Sequence, residues 1–141
     1  MQLTRRDAIF MGAGAILMTG LPLSASAAGE DAIAAFTGGA EVGEVGEGDI
    51  KLTAPEIAEN GNTVPIEVSS GSAIEIMVLA LGNPTPAVAT FHFGPLAASR
   101  EASTRIRLAG TQDVIAIAKL EDGSFVKASS MVKVTIGGCG G

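Results

Sequence analysis

The one group in this chain with strong intrinsic reactivity is a single thiol, Cys139, set in the C-terminal run Gly137-Gly138-Cys139-Gly140-Gly141. A thiolate is a good nucleophile and a natural covalent anchor for sulfur. One cysteine cannot form an internal disulfide or a cysteine-based metal cluster. The glycines around it have no Cβ and visit backbone regions closed to other residues, so Gly137, Gly138, Gly140 and Gly141 read as a thin flexible arm. At about 3.3–3.6 Å per residue, five extended residues reach about 17 Å, and the lack of side chains suits a narrow channel.

The nearest cation in sequence is Lys133, and the chain's own carboxylate lies two residues beyond the cysteine. Nothing close in sequence therefore draws the thiol far below its ordinary pKa of about 8.5. A cysteine enzyme needs a base, an orienting group and an oxyanion site held in tight register. A glycine arm cannot hold them, so no catalytic residue is assigned and the chain is not expected to be an enzyme. Cys139 is better suited to presentation to another protein's active site. A structural disulfide between two molecules, giving a dimerised β-sandwich, is the alternative, and an incidental terminal thiol is a third.

Other chemistry is sparse. His92 is the sole histidine, flanked by Phe91 and Phe93 in an alternating segment, and it reads as a surface or interface residue rather than a metal ligand. Glu41, Glu44, Glu47 and Asp49 offer oxygens for calcium, but their spacing fits no EF-hand and a solvated connector is the simpler reading. Arg100, Arg105 and Arg107 could meet an anion or a partner, and more simply mark the polar face of a strand. Met77 and Met131 read as core filler. No phosphate-binding loop or zinc spacing is present, and neither a metal nor a cofactor is expected.

These residues sit on a chain of 141 residues with a formal charge of −6, a balance that repels nucleic acid and anionic membrane surfaces. Arg5 and Arg6 precede an uncharged stretch from Ala8 to Gly29, closed by the small residues Ala25-Ser26-Ala27. That pattern reads as a twin-arginine (Tat) signal peptide over 1–27, helical where ordered, addressing the folded protein to the periplasm. A membrane anchor is the competing reading, since about 18 uncharged residues can span a bilayer, but Pro22, three glycines and the cleavage pattern oppose it. Cleavage removes Arg5, Arg6 and Asp7 and makes the net charge one unit more negative.

The remainder divides into a short helix and acidic linker over 28–48, a carrier domain over 49–136, and the arm over 137–141. Glu30–Phe36 reads as the helix, with acids in its first turn and Gly38-Gly39 as its stop. Val64, Ile66 and Val68 alternate with polar residues and Pro65, which points to an edge strand or a strand start. Ile74 to Leu81 is a more continuously apolar strand, stopped by Gly82-Asn83-Pro84-Thr85-Pro86. Strands follow over Ser103–Leu108 and from Val114 to Leu120, then an Asp122-Gly123 hairpin turn and a last strand, Phe125–Ile136. Short strands at regular spacing predict an all-β, immunoglobulin-like antiparallel β-sandwich.

The C-terminal Val134-Thr135-Ile136-Gly137-Gly138-Cys139-Gly140-Gly141 resembles the signature of the SoxY family, the sulfur-carrier subunits of the periplasmic sulfur-oxidising (Sox) system. Ala35-Phe36-Thr37-Gly38-Gly39, Pro55 to Gly61, Ala89 to Phe93 and Ser103 to Leu108 are similar to that family as well, so the likeness spans the whole mature chain. The resemblance implies that thiosulfate and derived sulfur species ride covalently on Cys139. It implies a heterodimer with a SoxZ-like subunit and transient visits to haem-containing, hydrolase and molybdenum-haem enzymes. The enzymes would supply the cofactors and this chain the thiol.

Overall fold

The computed structural model describes residues 25–138. Within them one helix, α1 (Ala25–Thr37), precedes β1 (Lys51–Thr53), β2 (Ile57–Asn60), β3 (Val64–Ser69), β4 (Ala73–Ala80), β5 (Ala87–His92), β6 (Glu101–Ile106), β7 (Gln112–Leu120) and β8 (Phe125–Ile136). The strands form a three-stranded sheet in the order β1-β3-β6 and a five-stranded sheet in the order β2-β8-β7-β4-β5. The all-β sandwich expected from the alternating segments is the fold.

Alternation decides which side chains enter which layer. Ile76, Val78 and Ala80 of β4 and Val114, Ala116 and Ala118 of β7 point between the sheets, where they meet Val64, Ile66, Val68, Ile106, Leu108 and Val132. The odd members of the same strands, Met77, Leu79 and Ile117, face outward and are covered by Ala32, Ile33 and Phe36 of α1. Phe36 and Phe125 meet edge to face with centroids 5.8 Å apart, a favoured aromatic geometry. The molecule is thus three layers deep, helix on five strands on three, and β4 and β7 are apolar on both faces for that reason.

Several expectations are corrected. The helix starts at Ala25 rather than Glu30, so its first turn carries no acid and Glu30 and Asp31 fall further along it; it runs through the expected cleavage segment, while residues 1–24, with Arg5 and Arg6, lie outside the described residues. It stops at Thr37, and Gly38 and Gly39 take φ of 65° and 85°, which glycine adopts without a Cβ penalty. The sandwich is not wholly antiparallel: β2 runs parallel to β8, pairing Ile57 with Lys133 and Asn60 with Ile136. Residues 57–60 carry no clean alternation, and Ala58 is their one buried member, which is why the strand does not stand out in the sequence. Of the two readings of Pro65, an edge strand or a strand start, the second holds, since it lies at the beginning of the central strand of its sheet. It is the second residue of β3, beyond the last β1 pair at Thr53–Glu67, so the missing N–H falls where the neighbouring ladder has ended.

Met77 is core filler as expected, whereas Met131 is 53% exposed. Asp49, at the end of the acidic connector, accepts a 2.8 Å bond from Ser72 Oγ. The Gly71 backbone and the Ser72 hydroxyl hold its carboxyl below the usual aspartate range. Ile76→Ala should therefore cost about 2–5 kcal/mol through the cavity it leaves, and Met131→Ala no more than about 0.5 kcal/mol. Urea unfolding of the two variants checks both; equal losses would contradict the layer assignment.

Candidate functional site

The tail leaves the sandwich from β8, whose two halves have different neighbours. Residues 125–132 pair with β7; residues 133–136 extend past β7 and are flanked by β2, with Lys133 N–H donating to the Glu56 carbonyl at 2.9 Å. The ladder then continues into the turn after β2. Gly61 N–H donates to the Ile136 carbonyl at 2.7 Å, and the Gly61 carbonyl accepts Leu108 N–H at 2.7 Å. Gly138 N–H donates to the Leu108 carbonyl at 2.8 Å. Three segments far apart in sequence meet here through backbone groups: the turn after β2, the segment after β6, and the segment after β8.

This narrows the expected five-residue arm. Gly137 is exposed but Gly138 is buried, and both pack against the sandwich instead of hanging free. A Cβ on Gly137 would overlap the Ala109 carbonyl oxygen, and one on Gly138 would lie 2.9 Å from the Gly61 oxygen and 3.2 Å from that of Leu108. Gly61 is as tightly placed, since its Cβ would overlap the Leu108 carbonyl and stand 2.8 Å from both Gly138 N and Val134 Cγ1. These glycines serve close backbone approach rather than looseness. Cys139, Gly140 and Gly141 lie outside the described residues. The nearest neighbours of Gly137 and Gly138 are the backbone carbonyls of Ala109, Gly61 and Leu108.

Leu108 is itself held. Its side chain is fully buried between the sheets, and the backbone on either side of it is gripped by Asn83, which is also fully buried. Asn83 Nδ2 donates to the Arg107 carbonyl at 2.7 Å. Its Oδ1 accepts Ala109 N–H at 2.9 Å and Gln112 Nε2 at 3.0 Å. Gln112 in turn accepts Gly82 N–H at 2.8 Å, closing the loop that carries Asn83. In sequence Asn83 reads as a loop residue; the local pattern there gives no sign of burial, because the partners are 24 to 29 positions away.

The remaining candidates separate from this end group. His92 is opposite Glu75 across the β4–β5 ladder, with Nδ1 2.7 Å from Glu75 Oε1, and is mostly exposed. Phe91 and Phe93 pack against the core on the other face. Arg100 pairs with Glu121 and donates to the Gly71 carbonyl, far along the sandwich from Gly61. Arg105 and Arg107 are exposed and alternate with buried Ile106 and Leu108, as expected of a strand's polar face. Arg105 reaches Thr63 Oγ1 at 3.4 Å. Among the described residues no group of three or more His, Cys, Asp or Glu could hold a metal ion.

The family model for the sulfur oxidation protein SoxY matches residues 33–139, a span that takes in the sandwich and ends on the cysteine. Among solved structures, the chain is similar to the sulfur carrier protein SoxY from Chlorobium limicola f thiosulfatophilum, with 37% identity and a TM-score of 0.65 over 76% of this chain and 96% of that one. A superoxide reductase (neelaredoxin) from Ignicoccus hospitalis shares the fold at 19% identity and a TM-score of 0.55, covering 61% of this chain and 80% of that one. A putative superoxide reductase from Thermotoga maritima does so at 16% identity and a TM-score of 0.52, covering 67% and 92%. No curated protein matches. Asn83→Ala should unfold about 2–4 kcal/mol more easily, because the Arg107 carbonyl and the Ala109 N–H lose their buried partner; urea titration measures it, and a loss below about 0.5 kcal/mol would show that water replaces the amide.

Proposed function

Because this chain belongs to the SoxY family of sulfur-oxidation proteins, we propose that it carries sulfur-oxidation intermediates as covalent adducts of Cys139. The observation that carries the reading is that the family match runs to the cysteine itself, in a relative whose solved member is named a sulfur carrier protein. The chemistry of the chain end agrees. The Gly137 and Gly138 that lead to it pack on backbone carbonyls, and a thiol carried on a glycine-rich chain end suits action by other proteins.

Loading joins the Cys139 sulfur to the outer sulfur of thiosulfate. The thiol loses its proton, an S–S bond forms, and two electrons leave to the haem-containing partner as oxidant. Hydrolysis by a second enzyme then breaks the bond between the sulfane sulfur and the sulfonate sulfur: water supplies the oxygen of the departing sulfate, a proton is released, and a persulfide stays on Cys139. A molybdenum-haem enzyme then takes six electrons from that outer sulfur, with three waters supplying oxygen and protons released, to leave an S-sulfonate on Cys139. A second hydrolysis breaks its S–S bond, releasing sulfate and returning the free thiol.

A SoxZ-like subunit is the expected stable partner. A twin-arginine signal at Arg5 and Arg6 would export the folded pair to the periplasm. In that oxidising compartment an unpaired thiol survives by being occupied or by being turned over.

Incubation of the purified protein with thiosulfate and its haem-containing partner should add mass to the C-terminal peptide, and Cys139→Ser should abolish the gain. Peptide mapping by mass spectrometry reads both. Mass that appears on another peptide, or none at all, would overturn the carrier function. A species of twice the chain mass that collapses with reductant would favour the structural disulfide instead.

A further inference from the structure

We propose that Gly61 and Asn83 are positioning residues for the carrier cysteine, acting through Leu108 to fix the point about which Cys139 turns. This rests on the reading of Cys139 as the attachment site, and it adds where the arm begins and what holds its root.

The chain of contacts is continuous. Asn83 grips the backbone on both sides of Leu108. The Leu108 carbonyl accepts Gly138 N–H at 2.8 Å, while Gly61 braces Leu108 through its carbonyl and Ile136 through its N–H, each at 2.7 Å. Every link from Gly61 onward is backbone to backbone, and space for it exists only because Gly61, Gly137 and Gly138 lack Cβ atoms. Cys139 is bonded to Gly138, so its Cα stays about 3.8 Å from that of Gly138 and its sulfur within about 7 Å. While the joint is closed, the cargo is confined near the Gly61 end of the sandwich, and a partner's active site must come to that end. Opening the joint at Gly137 and Gly138 frees two more residues and lengthens the arm by about 7 Å. The joint thus sets both the place and the reach of the sulfur.

The test compares Gly61→Ala and Gly138→Ala with Gly110→Ala. Gly110 lies in the same loop as Leu108 and Ala109 but has open space where a Cβ would sit. A nitroxide attached to Cys139 reports arm mobility, and amide hydrogen exchange at position 138 reports the joint. In Gly61→Ala and Gly138→Ala, exchange at 138 should quicken by about tenfold or more and the nitroxide spectrum should narrow, with the far-ultraviolet circular dichroism of the wild type retained. Gly110→Ala should match the wild type in all three. Should Gly61→Ala fail to fold, Gly138→Ala decides alone, since its side chain is added at the tail and not in the sandwich. Wild-type exchange at 138 in the folded variants, or equal loosening in Gly110→Ala, would overturn the proposal. Neither readout needs a sulfur adduct, so failure of Cys139 to load thiosulfate counts against the carrier function and leaves the joint standing.

Discussion

The meeting of Gly61, Leu108 and Gly138 is where a rigid sandwich becomes a tail, and it is made wholly of backbone. A typical hydrogen bond contributes only about 0.5–1.5 kcal/mol net, so the last bond, from Gly138 to Leu108, is weak enough to break within the folded state. Its partner is not. Leu108 is locked by a buried side chain and by the Asn83 amide on each side. A weak bond against a firmly held acceptor gives a joint that can open without disturbing what it opens from. Had the acceptor been an exposed loop, loss of the bond would have released loop and tail together, and the root of the arm would have no defined place.

The layers explain why the acceptor can be so firm. β4 and β7 are apolar on both faces, one face closed by the three-stranded sheet and the other by α1. That double burial fixes the loops at their ends, including the Gly82–Pro86 loop that presents Asn83 and the segment that leads from Leu108 into Gln112. β8 then passes from β7 to the parallel β2, so that the same strand is anchored by the core at its start and guided by Glu56 to Asn60 at its finish. The helix is remote from the chain's end in sequence, yet it covers the strands on which the tail's root depends.

How much of this was legible beforehand differs by the range of the interaction. Val64 to Ser69, Ile74 to Leu81 and Phe125 to Ile136 announced themselves as strands because side-chain alternation is a local signal. The continuous apolar run from Ile76 to Ala80 even recorded that both faces are covered, although nothing in it named α1 as the cover. β2 was silent: with Ala58 alone buried, it has no period to detect, and it exists because β8 offers an edge. Met131 was misplaced since an apolar residue in a strand context reads as core, whereas the middle of β8 alternates outward at that position. The missing Cβ that makes the tail glycines read as an arm also permits close backbone approach, and at Gly137 and Gly138 close approach is what the structure shows. Freedom of φ and tolerance of close approach follow from the same missing atom, and the sequence cannot say which is used until the partner backbone, here 77 and 30 positions from Gly138 at Gly61 and Leu108, is in place.

The same sandwich serves proteins of other names, including superoxide reductases at 16–19% identity, so the scaffold alone does not dictate chemistry. What distinguishes a carrier is a division of labour between a part that must not move and a part that must. An enzyme places its reacting group on the rigid part, because catalysis demands register. Here the chain's only thiol is on the residue that follows Gly138, whose amide is bound to the Leu108 carbonyl. A long free tail would gain reach at the cost of effective concentration at any one docking partner, which falls steeply as a tether lengthens past the span it must cover. The single backbone bond at Gly138 is thus the place where, in the proposal above, a short tether and a longer one would interconvert.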